Sequence, residues 1–158
     1  MAIKVFRTFL GYFYAAPFAL AAYGFAVFIG KKRAVARVGR WLTKTTVFCL
    51  RPIIPNISTP SDFDAFKARI MRNFTFLAPL YDLKIADNTV DHVEFNVHHC
   101  VVTHAFRKLG LPDICKYACA ADWVVAQKNK DCWEFARRQT IGTGGPFCNH
   151  TYMRKISP

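Results

Sequence analysis

From Thr8 to Gly30 the chain runs for 23 residues without a charge. At about 1.5 Å per residue, a helix of that length spans roughly 34 Å, enough for the hydrocarbon core of a bilayer. The core helix of a soluble protein rarely runs so far uncharged. A secretory signal has a shorter apolar region that ends in a small-residue cleavage site, whereas this one runs directly into Lys31, Lys32 and Arg33. The stretch therefore predicts an uncleaved anchor: residues 1–30 form a tail and a transmembrane helix that tethers a small soluble domain to the lipid bilayer.

Charge supports that placement. The formal net charge is +12, and eight of the 22 Lys and Arg residues lie at or before position 44, flanking the apolar segment. Lys4 and Arg7 precede it and Lys31, Lys32, Arg33, Arg37, Arg40 and Lys44 follow it. The positive-inside rule then gives a single-pass protein of the cell membrane with its C-terminal domain in the cytoplasm. The basic residues behind the span recur at helical spacing, with Val35, Val38, Trp41 and Leu42 on the other side, so residues 31–44 read as a helix lying among anionic headgroups. No nucleic-acid motif accompanies the charge, so nucleic acid is not an expected partner. Within the span, Gly11, Ala15, Ala19, Ala22, Ala26 and Gly30 fall on one helix face. Such a stripe lets a second helix approach closely, which makes other integral membrane subunits the expected partners.

Pro52, Pro55 and Pro60 mark a linker, so residues 31–60 join the anchor to a domain over 61–158. Roughly 100 residues suffice for one small core. Ser61 with Asp64 reads as a helix cap, and Phe63, Phe66, Ile70, Phe74 and Leu77 make a core stripe that ends around Pro79. Thr89 to His98 alternates as a strand. Val101 to Leu109 and Asp113 to Gln127 read as helices. The runs Cys132 to Ile141 and Phe147 to Ile156 read as a hairpin around Gly142, Gly144 and Gly145. The predicted class is α+β, with antiparallel strands and several helices behind a transmembrane helix.

Chemistry concentrates in that domain. Six cysteines follow no compact secreted framework, and a cytoplasmic domain keeps its thiols reduced. Cys100, Cys119, Asp122, Cys148 and His150 come from a strand-to-helix junction, a helix and a hairpin, which a small domain can bring together. A thiolate beside an imidazole and an acid is the arrangement that makes a cysteine nucleophilic at neutral pH. The same residue types also suit zinc, although the spacing matches no zinc knuckle and no cofactor is predicted. Packing alone is the remaining explanation for buried thiols.

A resemblance appears at these residues. Phe95-Asn96-Val97-His98-His99-Cys100, Leu109-Gly110-Leu111-Pro112-Asp113, Cys119-Ala120-Ala121-Asp122, Thr140 and Gly144-Gly145-Pro146-Phe147-Cys148 together resemble the C-terminal signature of the L-2-amino-thiazoline-4-carboxylic acid hydrolases, over residues 95–154. The resemblance implies a hydrolase that adds water across a carbon–nitrogen bond of a cyclic amidine. The positions it carries over are Cys100, Cys119, Asp122, Thr140, Gly144, Gly145 and Cys148; with the thiol and acid types these give Cys100 or Cys119 as nucleophile, Asp122 as orienting acid or general base, and Cys148 in support, to which this chain's own His150 is added. Where the family follows the last Cys with an acidic residue and Phe, this chain has Asn149 and His150, so the sequence predicts a site that has lost one carboxylate. A competing expectation is a non-catalytic accessory subunit of a larger membrane complex, docked through the small-residue stripe.

Overall fold

The computed structural model describes residues 2–155; Met1 and residues 156–158, including the predicted strand end at Ile156, lie outside the described residues. The fold is α+β, with five α-helices and one four-stranded antiparallel sheet among the described residues. Helix α1 (Ala2–Ile29) turns at Gly30 into α2 (Lys31–Leu50). After the proline-rich linker come α3 (Phe63–Tyr81), β1 (Leu83–Asn88), β2 (His92–Val97), α4 (Val101–Lys108), α5 (Cys115–Lys128), β3 (Trp133–Ala136) and β4 (Cys148–Arg154). The strand order is β1-β2-β4-β3.

Several boundaries differ from the sequence pattern for local reasons. The cap before α3 belongs to Thr59, not Ser61: its side chain and that of Asp62 form a reciprocal capping box around a 3-10 turn. Helix α3 continues past Pro79 to Tyr81. It ends at Asp82 in the left-handed region (φ 45), whose N–H reaches Ala78 O. Strand β1 was not expected, since Leu83–Asn88 carries almost no apolar alternation and lies exposed at the sheet edge. Strand β3 is four residues long, and the predicted run to Ile141 instead becomes a loop with a 3-10 turn at Ile141–Thr143.

Helices α3 and α5 cover one face of the sheet. Phe63, Phe66 and Ile70 from α3 and Val125 from α5 meet Phe95, Trp133 and Tyr152 from the strands, all essentially buried. Phe66 stacks on Trp133 with ring centroids 5.1 Å apart, and Tyr152 meets Trp133 edge-on at 5.3 Å.

A second core joins α1, α2 and α4. Helix α1 is long and apolar enough to cross a membrane. Its small residues Gly11, Ala15, Ala19 and Ala22 are buried within this same chain, packed with Val38 and Leu42 of α2 and Phe106 of α4. A Cβ on Gly11 would stand 2.5 Å from the Val101 carbonyl oxygen, so glycine is what allows that approach. Ala26 is half-buried, and Gly30 (φ 79) forms the exposed turn. The apolar side of α2 likewise faces inward through Val35, Val38 and Leu42, while Lys31, Lys32, Arg33, Arg37, Arg40 and Lys44 stay exposed. Lys31 donates to Gly110 O at 3.3 Å and Tyr23 to Leu109 O, which satisfies carbonyls at the end of α4. Gly110 (φ 70) closes that helix: its own N–H and that of Leu111 return to Arg107 O and Phe106 O.

Candidate functional site

The start of α4, the middle of α5 and the hairpin converge on one end of a cavity of about 330 Å³. Cys100, Cys119, Asp122, Cys148 and His150 all line it, so the five side chains singled out in the sequence share one space. Each arrives there for a local reason. Cys100 is the residue before α4 and holds extended backbone. Cys119 and Asp122 are three apart on α5, hence on one helix face. Cys148 and His150 are two apart on β4, on the sheet face that also carries Tyr152.

Thr140 joins two of the thiols. Its hydroxyl lies 3.4 Å from Cys119 Sγ and 3.1 Å from Cys148 Sγ, and it accepts the Gly142 N–H at 3.3 Å. Cys148 Sγ also accepts the Ile141 N–H at 3.2 Å. Arg107 donates to Ile141 O at 2.7 Å and so pins the loop from α4. Glycine is required where the loop meets the thiols: a Cβ on Gly142 would stand 2.5 Å from Cys119 Sγ. A Cβ on Gly145 would stand 2.9 Å from the Thr140 carbonyl oxygen, and Gly144 has φ 102.

A buried ion pair sits beside the thiols. Arg137 donates to Asp122 Oδ2 at 2.6 Å and to Cys119 O at 2.9 Å, with its side chain 7 % exposed. His150 Nε2 lies 3.8 Å from the same carboxylate oxygen, too far for a hydrogen bond, and this buried nitrogen has no partner. Burial holds the His150 imidazole below its ordinary value, opposed by Asp122. Burial likewise raises the Cys100 thiol and pushes that of Cys119 up to about 12. Both stay protonated at neutral pH, and a protonated thiol is a weak nucleophile. Cys115 is pushed up to about 11 and its Sγ contacts Thr103 O, inside the second core.

Two corrections follow. Asn149 does not take a carboxylate from the site: it points the other way along β4 and accepts the Arg138 and Gln139 N–H groups, both at 3.0 Å. The acid at the site is Asp122. Arg137 and Gly142 went unrecognised as site residues, and Arg137 carried a legible signal. It shares the odd-numbered register of Trp133 and Phe135, which are buried, so a charged residue was falling on an inward face. All six cysteines are unpaired. Among the described residues, no group of three or more His, Cys, Asp and Glu side chains has a metal-holding arrangement.

The family model described as L-2-amino-thiazoline-4-carboxylic acid hydrolase matches residues 29–152, so the likeness extends well before the signature at 95–154 and takes in α2. Helix α1 lies almost wholly outside the match. No curated protein and no solved structure matches the chain.

Proposed function

The chain belongs to the L-2-amino-thiazoline-4-carboxylic acid hydrolase family, and from that premise we propose that it hydrolyses a carbon–nitrogen bond of a cyclic amidine, with Cys148 as nucleophile. The observation that carries this reading is the convergence of three thiols, a buried carboxylate–guanidinium pair and an unpartnered imidazole nitrogen on one end of a single cavity. Cys148 is preferred over Cys100 and Cys119 because its sulfur accepts the Ile141 N–H at 3.2 Å and lies nearer the Thr140 hydroxyl than Cys119 does, at 3.1 Å against 3.4 Å.

In this mechanism the Cys148 sulfur bonds to the amidine carbon and its proton passes by way of Thr140 to the ring nitrogen. The ring carbon–nitrogen bond breaks as a second proton passes from the exocyclic NH2 to the ring nitrogen, which frees an amine still tethered through the ring sulfur and leaves a thioimidate C=NH on Cys148. Water, with His150 as its base, adds across the remaining C=N bond. The carbon–sulfur bond then breaks, a proton returns to sulfur, and a carbonyl remains on the product. Asp122, held by Arg137, accepts an N–H of the amidine and orients it. The test uses the purified full chain with L-2-amino-thiazoline-4-carboxylate and its parent 2-amino-thiazoline. Ring opening of at least one, lost roughly a thousandfold or more in Cys148→Ala, is expected. Turnover that survives in Cys148→Ala at the wild-type rate overturns the assignment.

The same proposal places the domain on a bilayer surface through the outer side of α1. Phe6, Phe9, Phe13, Leu20, Val27 and Phe28 are exposed there, with the basic residues of α2 alongside. A surface position is favoured over the expected span because α1 packs along α4, whose Arg107 and Lys108 are exposed and would otherwise enter hydrocarbon. Co-sedimentation with vesicles containing anionic lipid, weakened by Phe9→Glu with Phe13→Glu, is the expected outcome; a wild-type chain that stays in the supernatant contradicts it. The stripe that suggested an accessory subunit is already covered by α2 and α4, so nothing favours that second reading.

A further inference from the structure

We infer that the substrate carries a linear hydrocarbon substituent, which fills the cavity from its mouth to the thiol end; this rests on the hydrolase reading and specifies its substrate class. The thiol end occupies only a small part of the cavity wall. Leu10, Leu50, Ile53, Leu77, Leu80 and Val97 line the remainder, contributed by α1, α2, the linker, α3 and β2. A small zwitterion has no use for such a wall. A carboxylate on the thiazoline ring would also need a cation, and the only Lys or Arg lining the cavity among the described residues is Arg137, which Asp122 already neutralises at 2.6 Å. The unpartnered His150 Nε2 and the Asp122 carboxylate suit an uncharged amide or an amidine head, while the apolar length suits its chain.

The mouth points the same way. Cys49 lines the cavity and is exposed, so the cavity reaches the surface at the end of α2. Four exposed phenylalanines lie on the helices that line the cavity, each next in sequence to a lining residue: Phe9 before Leu10, Phe13 before Tyr14, Phe48 before Cys49 and Phe76 before Leu77. Exposed aromatic side chains on the helices that line the cavity suit an amphiphile lying in lipid better than a hydrated amino acid.

The test measures binding and turnover separately. Calorimetric titration of the full chain with n-alkanamides from acetamide to octanamide is expected to show one site whose affinity rises about threefold to fourfold per methylene. Cys49→Trp at the mouth is expected to lower octanamide affinity at least tenfold and leave acetamide unchanged. Affinity that does not change with chain length, or octanamide binding untouched by Cys49→Trp, overturns the inference. In turnover, a 4-heptyl-2-amino-thiazoline is expected to exceed the parent ring at least tenfold in kcat/KM. Equal values overturn the hydrocarbon assignment and leave the hydrolase reading standing. Chain-length-dependent binding with no ring opened in either compound supports the cavity assignment and removes the hydrolase reading.

Discussion

The two halves of α3 face equally apolar surroundings and meet opposite fates. Along the first half, Phe63, Phe66 and Ile70 are fully buried and the space beyond them is filled by Trp133, Tyr152 and Phe95. Along the second half, Leu77, Leu80 and Tyr81 border a cavity of about 330 Å³. Packed interiors leave few voids of that size, so the same helix serves as core in one half and as the wall of a binding site in the other. Phe74 marks the border: it lies edge-on to Phe95 at 4.5 Å and also lines the cavity. The hollow half is also the half that collects buried thiols, an ion pair and an unpartnered imidazole, while the filled half is held by aromatic contact.

That contrast is open to test, most strongly in the filled half. Phe66→Ala removes a ring in contact with both Trp133 and Tyr152 and is expected to cost about 3–5 kcal/mol in denaturant unfolding. A loss below about 1 kcal/mol would mean that the filled half is not tightly packed. Asp122→Asn leaves the Arg137 charge buried without its counterion; it is expected to cost about 3 kcal/mol and to abolish turnover. Unchanged stability would show that the pair is solvated.

Smaller effects sharpen the border between the halves. Gly142→Ala puts a methyl against Cys119 Sγ, and turnover is expected to fall roughly tenfold to a hundredfold while the melting temperature stays close to wild type. Equal activity would show that the thiol has room to move. The pH dependence of stability follows from the two histidines whose pKa is depressed, His150 by burial and His99 by burial with Arg7 and His104. Both are neutral in the folded chain at pH values where the unfolded chain, at the ordinary 6.5, already binds protons. Stability is therefore complete above about pH 6.5 and falls as the pH drops from there toward the lowered native values. His150→Gln is expected to flatten that fall, as read by unfolding midpoints between pH 7.5 and 5; an unaltered slope would assign it to other groups. Leu80→Ala, half-exposed at the hollow end, is expected to cost only about 1 kcal/mol or less.

Much of this arrangement was legible in the chain, and the failures share a cause. The stripe from Phe63 to Phe74, the strand at Val93–Val97 and the turn at Gly110 follow from periodicity and backbone freedom, which are local properties. Cys119 and Asp122 share a face because a helix puts residues three apart together, and Cys148 and His150 because a strand does so for residues two apart. What escaped depends on tertiary partners. That the small-residue stripe of α1 packs on α2 and α4 of the same chain depends on tertiary contacts, which its spacing does not reveal. Strand β1 owes its existence to pairing with β2 rather than to its own residues. The register of Arg137 marks it as a charge on an inward face, but that its partner is Asp122 follows only from tertiary packing.

The central claim is that chemistry occurs at the closed end of the hollow half, on the Cys148 sulfur. The most direct test is to acid-quench the full chain during turnover of 2-amino-thiazoline and map its peptides by mass spectrometry. A thioimidate adduct on the peptide that contains Cys148, absent before substrate is added, is the expected result. An adduct on the peptide containing Cys100 or Cys119, or steady ring opening with Cys148 unmodified throughout, would contradict it.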